Sequence, residues 1–469
     1  MNYYVVSPNI YNDGDNYADE MYSKGIAAVG WKLDTKNGQI FNKIQAGDCI
    51  IVAQRTNWNW KYFYMGLVVE EEDKTSCGTL SKKLSPIIKL SNNCDLGFDK
   101  WSVNGSKQIQ SPQRIDEYND NNKVIIKQIN FFFNMERYKT LIISNHNLIL
   151  TGAPGTGKTH LAKQIAAQLI LGKEYDKKTA SREEKQKMDE QFDFVQFHPS
   201  FDYTDFVEGL RPTDDGNISF HRKDGIFMDF CRKALNALKG VNNAKDAPKY
   251  VFVIDEINRG DLSKIFGELF FSIDPGYRGE KGKVKTQYNN LWKDKDKFDS
   301  SEFFYVPENV YIIGTMNDID RSVESMDFAM RRRFAWKEIS SESTQSMLDN
   351  DKAWEDIQKP SEIDIKQIKE RMNNLNLAIL TISGLSTAYQ IGAAYFLKLK
   401  NYLSPDGKLE QSSWENLWNN HLKGLLFEYL RGLPEAEENL IMLEKAYNLD
   451  QDNIFEMKEG KVIKKQKDA

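Results

Sequence analysis

The chain has 469 residues, 40% of them hydrophobic and 28% charged, with a formal net charge of -5. Its length exceeds what one hydrophobic core organises, so about two to four domains are expected. The charge balance excludes nucleic-acid binding through overall charge, and four scattered cysteines exclude a disulfide scaffold.

Five scattered histidines show no zinc spacing. The opening "MNYYVVSPNI" lacks the pattern of a secretory signal, and no apolar run approaches the ~20 residues that span a bilayer. A cytoplasmic protein with no membrane partner is expected.

Residues 1–112 read as a β-rich domain. "NYYVVS", "DCIIVAQ" and "KYFYMGLVVEE" are short β-branched and aromatic runs bounded by Gly, Asn and Asp. Over residues 1–110, 12 Lys/Arg balance 12 Asp/Glu, which disfavours broad phosphate-driven binding. In "NWNWKYFYMG", Trp58, Trp60, Tyr62 and Tyr64 recur at every second position, so on a strand they share one face. Such rings either hold a flipped base by stacking or fill the core of a small barrel. Residues 113–135 read as a polar linker, "SPQRIDEYNDNNK", running into a helix, "VIIKQINFFFNMERYKTLIISN".

Residues 136–340 alternate apolar strands ("NLILTG", "FDFVQFH", "YVFVIDE", "VYIIGTMN") with helical patterns, which argues for an α/β domain with a mainly parallel sheet. "GAPGTGKT" satisfies G-x-x-x-x-G-K-[ST] with a strand before it and a helix after it. Gly152, Ala153, Pro154, Gly155, Thr156, Gly157, Lys158, Thr159 and His160 are therefore the expected nucleotide-binding residues. The loop's N–H groups face phosphate oxygens, Lys158 reaches the outer phosphates, and Thr159 offers Mg²⁺ a hard oxygen. Asp255 and Glu256 end the strand "YVFVIDE" where ligands bind in parallel sheets: Asp255 for the Mg²⁺ shell, Glu256 to polarise the attacking water. Asn317 ends a third strand and can position the same water. Arg331, Arg332 and Arg333 follow in a row. They are either a solvated helix end or guanidinium groups supplied to an anionic transition state. From 341 to 469 the amphipathic patterns are helical, no strand stands out, and the basic tail reads as frayed.

With these pieces in line, the chain resembles the McrB family, AAA+ subunits of modification-dependent restriction systems. The resemblance is carried by "FVQFHPSFDYTDFVEGLRP", "FVIDEINRGDLSKIFGEL", "IGTMNDIDRSVESMDFAMRRRF" and "YQIGAAYF", over roughly residues 136–430. It implies an AAA+ P-loop NTPase, with residues 136–340 as the large α/β subdomain and 341–469 as the helical lid. Asn317 matches the family's sensor asparagine, and Asp320 and Arg321 match its DR pair. Arg332 and Arg333 match arginines that reach the neighbouring subunit's nucleotide, with Asp327 before them. A head-to-tail interface repeated round a ring supplies such contacts, and the resemblance implies a hexamer. The resemblance further implies GTP as substrate with Mg²⁺, ATP staying open because no N-K-x-D motif is present. It also implies double-stranded DNA carrying a modified base and a separate McrC-like nuclease as partners, and the sequence, which shows no nuclease constellation, agrees with that arrangement. Asp318 and Ile319 depart from the Thr-Ala usual in the signature. A MoxR-like chaperone ATPase acting on protein clients shares the same core machinery and is the alternative.

The start "YYVVSPNIY" and the run "IQAGDCIIVAQR" resemble the EVE/PUA-like barrels that read modified bases. That implies a pocket formed by Trp31 with Trp58 or Trp60, and polar contacts from Ser7, Asn9 and Arg55.

Overall fold

Short runs of β-branched and aromatic residues separated by turn formers give the N-terminal region one mixed sheet. The structure, a computed structural model, describes residues 2–7, 18–24, 26–29, 39, 41–56, 59–72, 80–89, 113–115, 120–212, 219–241, 246–293, 298, 302–319, 328–354, 357, 360–404 and 407–465. The chain divides into two units, Met1–Tyr138 and Lys139–Ala469.

In the first unit, strands β1 (Tyr3–Val6), β2 (Ile26–Val29), β3 (Cys49–Thr56), β4 (Asn59–Glu72), β5 (Leu80–Lys89) and β6 (Gln113–Ile115) pair in the order β2-β5-β4-β3-β1-β6. β1 and β3 run parallel, and the other pairs are antiparallel. Three residues of the stretch read as linker thus form β6. Both faces are covered, which is why "CIIVA" is apolar at every position rather than alternating. Val5, Ile51 and Met65 pack with Ile126, Ile129 and Phe133 of the helix Asp120–Asn145. Val6, Ile50, Val52 and Tyr64 pack with Met21 of the helix Ala18–Lys24 and with Phe41 and Ile44. Among the described residues β2 and β6 are the sheet's edges, and no pairing closes them into a barrel.

The second unit is built on a parallel sheet in the order β13-β7-β12-β11-β8. Its strands are β7 (Asn147–Thr151), β8 (Phe192–Gln196), β11 (Tyr250–Asp255), β12 (Val310–Thr315) and β13 (Ala335–Glu338). β7 and β12 are buried along their whole length, and β11 at all but its last residue, as a sheet with helices on both faces requires. Phe252 and Ile254 share a core with Phe227 and Phe230 of the helix Ile226–Leu238. The four strands read in the sequence are all present. β13, a four-residue strand that starts one residue after the arginine run, was too short and too charged to be legible there. The hairpin β9 (Glu208–Pro212) and β10 (Phe220–Asp224) was also missed. Its base rests on Glu208, fully buried, whose carboxylate accepts from Arg222 Nε (2.5 Å), Tyr288 N (2.8 Å) and Trp292 Nε1 (2.8 Å).

Residues after 341 are helical as expected, around Ile368, Leu375, Trp414, Trp418, Leu430 and Tyr447. The helix Glu362–Leu380 starts at a reciprocal cap between Ser361 and Asp364. One expectation fails here: the tail is not frayed throughout, because β14 (Phe455–Lys458) and β15 (Lys461–Lys464) form a hairpin. Glu459 and Gly460, at φ 51° and 77°, make the two-residue turn that matches strand twist. Phe455 N donates to Asn374 Oδ1 at 2.7 Å and pins the hairpin to the long helix. Charged side chains on short strands concealed it in the sequence.

Candidate nucleotide site

The loop after β7 needs backbone conformations that side chains resist. Gly152 stands at φ 139°, and a Cβ there would meet Ile339 O at 2.3 Å. Gly155 stands at φ 74°, and a Cβ would meet the Tyr395 ring at 2.5 Å. With these glycines the chain curls and enters the helix Lys158–Leu171. Thr156 Oγ1 donates to Ala153 O at 2.9 Å, closing the curl. Lys158 lies inside it, its Nζ donating to Gly152 O and Ala153 O at 2.9 Å each. Burial pulls the Lys158 ammonium down to about 8, opposed by the nearby carboxylates of Glu256, Asp318 and Asp255. His160, read as part of the loop, is exposed on the first helical turn. The lid closes over the loop: Gly392 N donates to Pro154 O (2.9 Å) and Ala394 N to Gly155 O (3.0 Å).

Parallel strands bring their polar ends to one place. Asp255 Oδ1 accepts from Thr159 Oγ1 at 2.7 Å and from Thr315 Oγ1 at 2.5 Å. A carboxylate beside a threonine hydroxyl is the hard-oxygen donor set that suits Mg²⁺, which fills its remaining positions with water and phosphate. Among the described residues no cluster of three metal-binding side chains competes with it. Glu256 sits at φ 51°, a left-handed backbone conformation uncommon for a residue other than glycine. Asn317 Nδ2 donates to Glu256 Oε1 at 2.8 Å, and Arg259 Nε lies 3.4 Å from Oε2. Burial raises the Glu256 carboxyl above its ordinary range; Arg259 draws it back and Asp255 pushes it further up.

Glu256 and Asn317 are thus joined, as are Thr159 and Asp255. Sequence reasoning missed three supports. Thr315 bonds Asp255 and accepts from Glu256 N at 3.3 Å. Asn258 Nδ2 donates to Asn317 O at 3.4 Å, and Arg259 pairs with Glu256. The runs "DEINRG" and "GTMN" contained them, but polar residues after a strand look alike until the strands are aligned. Ile319, one of the two departures from the signature, packs against the lid core.

The arginine run splits three ways. Arg331 lies over the Trp336 ring at 4.6 Å, and Trp336 Nε1 donates to its carbonyl at 3.0 Å. Arg332 is exposed. Arg333 turns inward: its side chain is 10% exposed, Nη1 donates to Ala329 O, Nε lies 3.7 Å from Asp274 Oδ2, and the guanidinium covers Phe270 at 5.6 Å. Asp320, Arg321 and Asp327 lie outside the described residues.

In the first unit, Trp31, Trp58 and Asn9 lie outside the described residues, and Ser7 follows β1. Arg55 and Trp60 are paired in register across β3 and β4. The reading that four alternate rings share one face needs correction at the backbone. Val52 pairs with Tyr64 but Ala53 with Tyr62, so the register slips by one residue and regular alternation stops there. Tyr64 is a core residue, its hydroxyl donating to Ile26 O at 2.6 Å.

A phosphate-cradling loop, two acids ending β11, a polar amide after β12 and a helical lid on a five-stranded parallel sheet define an AAA+ P-loop NTPase. The family described as AAA domain (dynein-related subfamily) matches residues 147–334. A curated relative, the type IV methyl-directed restriction enzyme EcoKMcrB subunit of Escherichia coli (strain K12), is 38% identical over 303 residues, 62% of this chain and 55% of that protein. Another, the type II restriction enzyme BsuMI component YdiS of Bacillus subtilis (strain 168), is 23% identical over 243 residues, 46% of this chain and 63% of that protein. Over the matched stretches the chain is similar to these restriction-enzyme subunits, and it spans 55% and 63% of their respective lengths. No helix among the described residues is long and apolar enough to cross a membrane.

Proposed function

We propose that this chain is the nucleotide-hydrolysing motor and DNA-reading subunit of a restriction system of the McrBC type. It hydrolyses GTP with Mg²⁺ as a ring of subunits, six by family resemblance, and drives a separate McrC-like nuclease on DNA carrying a modified base. The observation that carries this reading is the joined pair Glu256–Asn317 beside Thr159–Asp255 and Lys158. When Mg²⁺ is bound by Thr159 and Asp255 it neutralises phosphate charge. Glu256 takes a proton from the attacking water while Asn317 holds the carboxylate in place. Arg332, exposed, is the group that reaches a neighbouring subunit's nucleotide. Arg333 is the second arginine of this pair by family resemblance, and its side chain faces Asp274, which helps hold the run in place. Asp320 and Arg321 complete the interface by family resemblance. In the first unit the reader comprises Arg55 and Trp60, adjacent in register, with Trp31, Trp58, Ser7 and Asn9.

Turnover of GTP and ATP, measured with Mg²⁺ across protein concentration and with a modified-base duplex, tests the reading. Hydrolysis per subunit rises with concentration as rings form, and GTP is preferred. Concentration-independent turnover removes the trans arginine. Binding of modified and unmodified DNA with equal affinity removes the reader and favours a chaperone role on protein clients.

A further inference from the structure

Behind the arginine run, at the opposite end of β7 from the phosphate loop, stands Asn147. It is fully buried, and its amide is committed on both sides. Nδ2 donates to Ile273 O at 2.7 Å and to Arg333 O at 2.8 Å. Oδ1 accepts from Arg278 Nη2. Arg278 is 4% exposed, and among the described residues its Nε and Nη1 have no hydrogen-bond partner. Burial lowers its pKa to about 10, with Asp274 among the groups that favour the charge. The same short stretch thus meets the arginine run twice. Ile273 O shares Asn147 with the Arg333 carbonyl, and Asp274 lies 3.7 Å from the Arg333 side chain.

A buried amide that joins the first residue of a sheet strand, the 273–278 stretch and the last arginine of the run does more than fill space. An apolar side chain in its place would leave the Ile273 and Arg333 carbonyls and the Arg278 guanidinium buried without this partner. The backbone of Arg332 is held on the other side by its own N–H, which donates to Phe328 O at 3.2 Å. We propose that Asn147, braced by Arg278, is a positioning residue for the arginine run. It anchors the Arg333 backbone to the sheet and so fixes the direction in which Arg332 leaves the fold. This rests on the reading that Arg332 serves the neighbouring subunit. A guanidinium about 1 Å out of place there costs on the order of 100-fold in rate.

Asn147→Asp is the sharp variant. The carboxylate still accepts from Arg278 but cannot donate to the carbonyls of Ile273 and Arg333. Expected are about 10- to 100-fold lower kcat, nucleotide affinity within about twofold of wild type, and cooperative unfolding. Mixing it with Glu256→Gln subunits, themselves inactive but carrying an intact arginine run, restores turnover, because the two defects lie on opposite sides of a shared interface. A merely destabilised site would not be rescued. Should Asn147→Asp fail to fold, Asp274→Asn, at a partly exposed position, loosens Arg333 from the same brace and is expected to give a smaller loss with the same rescue. Wild-type turnover in both variants, or lost turnover without rescue, overturns the proposal. Arg332→Ala separates the two ideas. If it hydrolyses normally the trans-arginine reading falls; if it is inactive while the two brace variants are normal, only the brace falls.

Discussion

The two units treat aromatic and polar residues in opposite ways. In Lys139–Ala469 the polar groups at the strand ends are joined to one another: Thr159 and Thr315 to Asp255, Asn317 to Glu256, Asn258 to the Asn317 backbone. In Met1–Tyr138 the sheet is covered on both faces, and Tyr64 lies in the core with its hydroxyl bonded to Ile26 O. A parallel sheet gathers chemistry at one edge because every strand ends there. A mixed sheet covered on both sides has no such edge, and its function rests on loops and strand ends.

The sharpest way to break that contrast is to remove a charge from the second unit. Arg332→Ala is expected to lower nucleotide turnover by ~10³–10⁵-fold while leaving nucleotide binding intact, read by steady-state hydrolysis beside equilibrium binding. Near wild-type turnover would return the arginine run to the role of a solvated helix end. Next in size, Asn317→Ala frees the Glu256 carboxylate and should cost about 10²-fold in kcat with little change in affinity. Gly155→Ala forces a side chain into a left-handed conformation against Tyr395, so nucleotide affinity and lid closure should fall together. Calorimetry and lid protease sensitivity would both register this, and unchanged affinity would mean that the Gly392 and Ala394 contacts are dispensable.

The pH dependence sharpens the picture further. The Glu256 carboxyl is raised by burial, so on acidification it takes up its proton above the pH of an ordinary glutamate (~4.3). Base function requires the carboxylate, so kcat should fall as pH drops through that raised value. Arg259→Ala removes the cation that draws it down and should move the acid limb to higher pH. An unmoved limb would assign it to another group. The smallest effect belongs to the first unit: Tyr64→Phe should lose about 1 kcal/mol of stability there and leave basal turnover unchanged. A change in turnover would show that the two units are coupled.

How much of this was legible in the residues differs by element. "GAPGTGKT" is a local device, so the loop, Lys158 and Thr159 could be placed from spacing alone, and the apolar runs into Asp255, Glu256 and Asn317 gave β11 and β12. The hairpin after Asn453 was hidden by its charged residues, and β13 by its brevity. Nor could the even spacing of Trp60, Tyr62 and Tyr64 disclose the register slip opposite Val52 and Ala53, since a bulge is a property of two strands at once.

By itself, then, the sequence determined the phosphate loop, the acids behind it, the α/β alternation and the family resemblance, because each is written in contiguous residues with a fixed period. Only the tertiary structure decided that Asn317 bonds Glu256, that Thr315 shares Asp255, that Arg333 turns inward while Arg332 faces out, and that Asn147 donates to the Arg333 carbonyl from 186 residues away. Those contacts join segments far apart in the chain. Their partners are chosen by the order of strands in the sheet, which no local pattern records.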